Sequence, residues 1–161
     1  VSMKALVVYD SFFGNTEQIA RAIGNALGAA EEVEVRRVAD VRPEQLAGLD
    51  LLIVGSPTRA FKPSPNTTAF LKAIPAGGLQ GIKVAAFDTR ISPEDTGSAV
   101  LKFFVKLFGY AADPIAKRLQ QKGGTLVIPP EGFIVKGSEG PLKDGELDRA
   151  ANWAGQIVAA R

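Results

Sequence analysis

Five short apolar segments, separated by stretches with helical periodicity, constrain this chain more than any other feature. Four of them, Lys4–Tyr9, Leu51–Gly55, Val84–Phe87 and Thr125–Ile128, are nearly unbroken apolar runs. Such runs are expected of strands covered by helices on both faces. The other, Val33–Val38, alternates apolar and charged residues, which suits an edge strand with one wet face. Strands alternating with helices predict βαβ units and a parallel sheet. With the second strand at the edge, the expectation is an α/β fold: a three-layer, doubly wound, five-stranded parallel sheet of order 2-1-3-4-5. A length of 161 residues suits a single domain over residues 1–161.

The helices carry their own punctuation. For the first, Asn15 is the expected N-cap, Gln18 three residues on completes a capping-box-like pair, and Gly28 closes the end. Ile19, Ile23 and Leu27 recur at helical spacing and should face the sheet. A second helix is expected from near Asn66, with Phe70, Leu71 and Ile74 inward and Pro75 as its stop. Ser98–Lys122 reads as two helices, broken at Gly109 and restarted by Asp113-Pro114. The last runs from about Asp144 to Ala160, with Leu147, Ala150, Ala154 and Ile157 as its stripe. Between them Pro129–Lys143 is long and rich in Gly and Pro, a setting for an irregular extension of the last strand.

Right-handed crossovers would gather three loops on one rim: Asp10–Asn15, Ser56–Pro65 and Asp88–Gly97. In the first, Ser11-Phe12-Phe13-Gly14-Asn15-Thr16 joins a strand to a helix. Helix N-termini present unpaired N–H groups and a positive dipole end, a seat for phosphate. The Ser11 and Thr16 hydroxyls and the Asn15 amide add donors, and Gly14 lets the backbone turn inward. The segment contains no Lys or Arg, unlike a P-loop, so dipoles alone would hold the anion. An ordinary capped βα turn has the same composition. By contrast, Gly77-Gly78-Leu79-Gln80-Gly81 precedes a strand and is a connector.

What is missing excludes much chemistry. The chain has no Cys and no His, hence no disulfide, thiolate nucleophile, Cys-ligated cluster, catalytic triad or imidazole shuttle. The net charge is +2 with a sequence pI near 9.0, and the scattered cations do not argue for nucleic acid. No apolar run approaches the roughly 20 residues of a membrane span. Val1-Ser2-Met3-Lys4 enters a strand without the pattern of a secretory leader, so a cytoplasmic protein is expected. No metal site is expected either.

The motif Tyr9-Asp10-Ser11-Phe12-Phe13-Gly14-Asn15-Thr16-Glu17 resembles the phosphate-binding loop of the flavodoxin family. Gly55-Ser56-Pro57-Thr58-Arg59 is similar to that family's second flavin loop, and Phe87-Asp88-Thr89-Arg90 falls where its third would be. The resemblance implies FMN as cofactor, with Ser11 through Thr16 on the phosphate. It further implies that Ser56, Pro57, Thr58, Arg59, Ala60 and Phe61, together with Thr89, Arg90 and Ile91, border the isoalloxazine ring. Phe61 either covers one ring face or is tucked into the core. The family often stacks a Tyr from the third loop, and Asp88–Gly97 contains no aromatic residue; Ile91 or a partner would cover that face. The family's carriers are usually acidic, whereas here Arg59, Lys62 and Arg90 should crowd the ring, offset by Glu94 and Asp95. Those cations are expected to make the potential less negative. Trp153 is expected to pack.

The resemblance implies an FMN-binding electron-transfer protein serving transient redox partners, as a monomer or weak homodimer. The alternative is an NAD(P)H- or quinone-linked FMN reductase on the same fold. A receiver domain lacks its acceptor Asp after the third strand, a tyrosine phosphatase its Cys, and an α/β-hydrolase its elbow and His. The segment Val100–Phe108 is more apolar than a one-sided helix requires, either because it is sandwiched or because it meets a partner.

Overall fold

The computed structural model describes residues 3–28, 32–92 and 99–160. The strands are β1 (Ala5–Tyr9), β2 (Val33–Arg37), β3 (Leu51–Pro57), β4 (Lys83–Ile91), β5 (Thr125–Leu126) and β6 (Glu131–Val135). All pair in parallel, in the order β2-β1-β3-β4-β5, with β6 also on β4. β5 pairs with the start of β4 and β6 with its end. The fifth position is therefore one strand in two pieces, and the chain breaks out of the ladder around Pro129-Pro130. Neither proline has an N–H to give to the ladder. The expected strand Thr125–Ile128 is thus shorter, and the irregular extension after it is β6.

Five helices flank the sheet among the described residues: α1 (Asn15–Leu27), α2 (Pro65–Ala73), α3 (Ala99–Phe108), α4 (Ala112–Gln121) and α5 (Glu146–Ala160). Ile19, Ile23 and Leu27 of α1 join Ala150, Trp153, Ala154 and Ile157 of α5 against Ala5, Val7, Ile53 and Phe87 on one face. On the other, Phe70, Leu71, Ile115 and Leu119 cover Leu6, Val8, Leu52 and Val54. Alternate residues of β1 and β3 thus serve two cores, which is why those runs are apolar without a break. Phe87, Phe133 and Trp153 meet edge to face with centroids 6.0–6.1 Å apart, a geometry that favours the ring quadrupoles. Trp153 packs as expected. β2 is the edge, its side chains alternately inward and wet.

Several local expectations are corrected. Gly14, not Asn15, is the α1 N-cap; its φ of +92° is left-handed, and no side chain caps the helix. Asn15 and Gln18 form no capping box, because Asn15 is already helical and turns its amide elsewhere. Ser64 caps α2 and Pro65 is its first residue, one residue before the expected start near Asn66. Ala111 rather than Asp113 precedes α4. Leu147 is exposed and leaves the α5 stripe, whose place Trp153 takes. On α3, Val100 and Phe103 are exposed by 66% and 61%; the side chains of Leu101, Phe104, Leu107 and Phe108 lie outside the described residues. So do Val1, Ser2 and Ser98, and the stretch with Glu94 and Asp95 expected beside the third loop.

Candidate functional site

At the C-terminal rim of β1, β3, β4 and β6 lies a cavity of about 370 Å³. Twelve of the fifteen residues expected at a site line it: Ser11, Phe12, Phe13, Asn15, Thr16, Pro57, Thr58, Arg59, Ala60, Thr89, Arg90 and Ile91. Gly14, Ser56 and Phe61 do not. Gly14 acts through its backbone turn. Ser56 is fully buried, its Oγ accepting the Ser64 N–H at 2.9 Å. Phe61 is half-buried at the tip of its loop, outside the lining. The aromatic side chains that do line the cavity are Phe12 and Phe13, each about half exposed. Val135, Ser138 and Glu139 complete the wall. No single-residue signal marked them; only the Gly/Pro-rich composition of Pro129–Lys143 hinted at a loop reaching this rim.

The β1–α1 loop is fixed by a buried polar frame. Asp10 accepts the Ser11 N–H at 2.9 Å and the Ser64 hydroxyl, which also accepts from the Thr67 N–H at 3.2 Å. One carboxylate thus ties the loop to the α2 cap. Inside the loop, Ser11 Oγ accepts the Gly14 N–H at 3.1 Å. The first intrahelical bond runs from Gln18 N to Gly14 O, so the Asn15, Thr16 and Glu17 amides precede it and can face an anion. Two of the three side chains expected as further donors have partners of their own. Asn15 Nδ2 donates to Glu139 O at 3.1 Å, and the Thr16 and Thr89 hydroxyls are bonded at 2.8 Å. Nor is the loop remote from cations. Arg37 of β2 donates to Ser11 O at 2.9 Å, and the Arg59 guanidinium lies 4.7 Å from the Phe12 ring centroid.

At the other end, the chain leaving β3 makes a two-residue reversal. Arg59 N donates to Lys62 O and Lys62 N to Arg59 O. Ala60 and Phe61 between them have φ of 49° and 68°, the left-handed sign of a type I′ turn in residues that are not glycine. The Thr58 amide is spent on Thr89 O at 2.9 Å, so the outer loops offer fewer backbone donors than expected. Lys62 turns away and lines a different groove. Arg90 is clamped: Nε and Nη2 each reach the Asp88 carboxylate at 2.6 Å, and its Cζ lies 3.6 Å from the Tyr110 ring centroid. A Cβ on Gly132 would come 2.1 Å from that Cζ, so the guanidinium lies flat against β6. Asp88 also accepts the Ala112 N–H at 2.9 Å at the start of α4. Burial pushes the Asp88 carboxyl above the usual range, against the pull of Arg90 and that amide. With this ion pair formed, Arg90 adds little net charge, and Arg59 is the lining cation with no salt bridge among the described residues.

A sequence profile of the flavodoxin family matches residues 7–153. The chain belongs to the flavodoxin family. Oxidised flavodoxin 1 from Bacillus cereus is 21% identical, with a TM-score of 0.76 over 98% of this chain and 99% of the other. A flavodoxin from the domain Archaea is 27% identical, with a TM-score of 0.75 over 98% and 97%. A WrbA-like flavodoxin from Agrobacterium tumefaciens is 19% identical, at 0.70 over 99% and 100%. The first and last of these likenesses speak to fold alone. FMN is the family's cofactor, and the residues present fit it. The cavity lies within the roughly 300–1,000 Å³ usual for ligand pockets. One end carries leading helix amides suited to a phosphate, the exposed Phe12 and Phe13 rings lie in the same loop, and the other end offers loop surface that can border a ring. Among the described residues no helix is long and apolar enough to cross a membrane, and no cluster of acidic side chains is arranged for a metal.

Proposed function

We propose that this flavodoxin-family protein is an FMN-dependent electron carrier, taking electrons from one redox protein and giving them to another. The observation that supports this is the meeting in one cavity of three rim loops with unlike ends. In this reading Ser11 through Thr16 hold the phosphate through the Asn15, Thr16 and Glu17 amides. Pro57 through Ala60 and Thr89 through Ile91 border the ring, while Ser56 and Phe61 shape the loop that presents them. FMN supplies reversible one- and two-electron chemistry. The chain's part is to orient it, to exclude water from one edge, and to set its potential. Arg59 favours added negative charge nearby, and Arg59→Gln should therefore make the potential more negative. An unchanged or raised value counts against that role.

The competing reading is an NAD(P)H- or quinone-linked FMN reductase that turns over without a partner protein. The chain has no His to deliver protons, which favours the carrier. Two measurements test the proposal together. Purified protein should be yellow and release FMN on denaturation. The FMN-loaded protein should show no steady-state NAD(P)H oxidation with a quinone until a separate reductase is added. Turnover without that enzyme reverses the assignment, and colourless protein that ignores added FMN removes it.

A further inference from the structure

Between α2 and α4 runs a second groove of about 540 Å³. Pro63, Pro65 and Leu71 form its apolar wall, and Lys62, Lys72 and Arg118 stand along it. Among the described residues no carboxylate lines it, and none of the three cations has a salt bridge. Lys122 Nζ also lies over the end of α2, 3.4 Å from Lys72 O.

Charge is unevenly divided along the chain. Residues 58–128 hold ten Lys/Arg and four Asp/Glu, while the rest of the chain holds nine and 13. One of those four acids, Asp88, is buried against Arg90. On the opposite side cations are taken up locally, Arg21 by Glu17 at 2.8 Å and Arg149 by Glu146 at 2.6 Å. The groove is therefore an apolar slot flanked by three cations in the more cationic part of a nearly neutral chain.

The groove is also coupled to the cofactor cavity. Lys62 on its edge and Arg59 in the cavity are the paired ends of the same reversal, bonded at 2.8 and 2.9 Å. We propose that this groove docks an acidic segment of a redox partner, carboxylates on Lys62, Lys72 and Arg118 and an apolar side chain against Pro63, Pro65 and Leu71. Long-range attraction would steer the encounter, and the apolar wall would select a protein segment over a bare polyanion. This rests on the electron-carrier reading and supplies the partner's chemistry.

The test is a titration of isotope-labelled, FMN-loaded protein with a short synthetic peptide alternating Glu and Leu, followed by amide shifts. A Lys/Leu peptide and a short DNA duplex serve as comparisons. Shifts should centre on Thr68, Ala69, Leu71 and Arg118, and weaken as salt shortens the screening length. Lys72→Glu with Arg118→Glu should cost about tenfold or more in affinity, with FMN content and potential unchanged. Shifts elsewhere, none at millimolar peptide, equal binding of the Lys/Leu peptide or DNA, or indifference to the charge reversals would overturn the proposal. FMN content is read on the same samples, so failure of cofactor binding is seen separately from failure of docking.

Discussion

The two ends of the cavity are built differently. The helix end is held by side chains from distant parts of the chain: Asp10 on Ser64, Thr16 on Thr89, Asn15 on Glu139 and Arg37 on Ser11. The reversal end closes on its own backbone, Arg59 and Lys62 each donating to the other, and it carries two non-glycine residues at positive φ. Buried polar bonds between elements fix a position well, because each broken bond leaves an unpaired group away from water. A strained tip is fixed only by its neighbours and is cheaper to move. An anion seat needs the first kind of construction. A loop that meets partners tolerates the second.

The sharpest way to break this contrast is at Asp10, which is buried and accepts from both Ser11 N and Ser64 Oγ. Asp10→Ala leaves those donors and the nearby Arg37, 3.9 Å away, without their anion. We expect a loss of about 3 kcal/mol of stability, read by urea denaturation, with weaker FMN binding in fluorescence titration. A loss no larger than that of an exposed-site substitution would mean the helix end is not held in this way.

The helix end is also bounded by the loop after β6, and its anchor is acid-sensitive. Glu146 at the start of α5 accepts the Ile134 N–H and is paired with Arg149, whose guanidinium also reaches Gly132 O and Glu131. Burial opposes the carboxylate, but Arg149, that amide and Lys143 outweigh it and hold its pKa below the usual range. An acid depressed in the folded state adds stability that is full above the unfolded value of about 4.3. That stability is lost as pH falls through the folded value. Glu146→Gln should cost about 1–2 kcal/mol at neutral pH and flatten the decline in stability on acidification. Denaturation curves from neutral to acid pH check this, and an unaltered slope would place the sensitivity elsewhere.

How much of this was legible in the sequence follows the same division. The parallel sheet and its edge could be read because burial on one or both faces writes itself into apolar runs. The β1–α1 loop could be read because Gly14 and a helix start lie next to each other in the chain. Asp10–Ser64 and Asn15–Glu139 could not, since their partners are 54 and 124 residues apart and neither pairing has a local signature. Ser64 before Pro65 was a readable cap, but the apolar stripe that drew attention began later. Phe61 was singled out as an aromatic in the right loop. The left-handed turn that points the tip elsewhere is unusual for phenylalanine, so composition gave no warning of it.

The smallest effect tests the reversal end directly. Ala60 at φ 49° has a Cβ that crowds its own backbone, a cost of roughly 1–2 kcal/mol for an L-residue. Glycine removes that cost but gives the unfolded chain more freedom, taking back about 0.4–1 kcal/mol. Ala60→Gly should therefore stabilise the protein by about 0.5–1 kcal/mol, seen as a higher urea midpoint with an unchanged slope. Because Ala60 lines the cavity, FMN affinity is the companion measurement. Stabilisation with unchanged affinity means the strain at the tip is incidental to cofactor binding. Stabilisation with weaker affinity means that strain holds the tip in its binding shape, and the reversal end is then as purposeful as the helix end, by a different physical device.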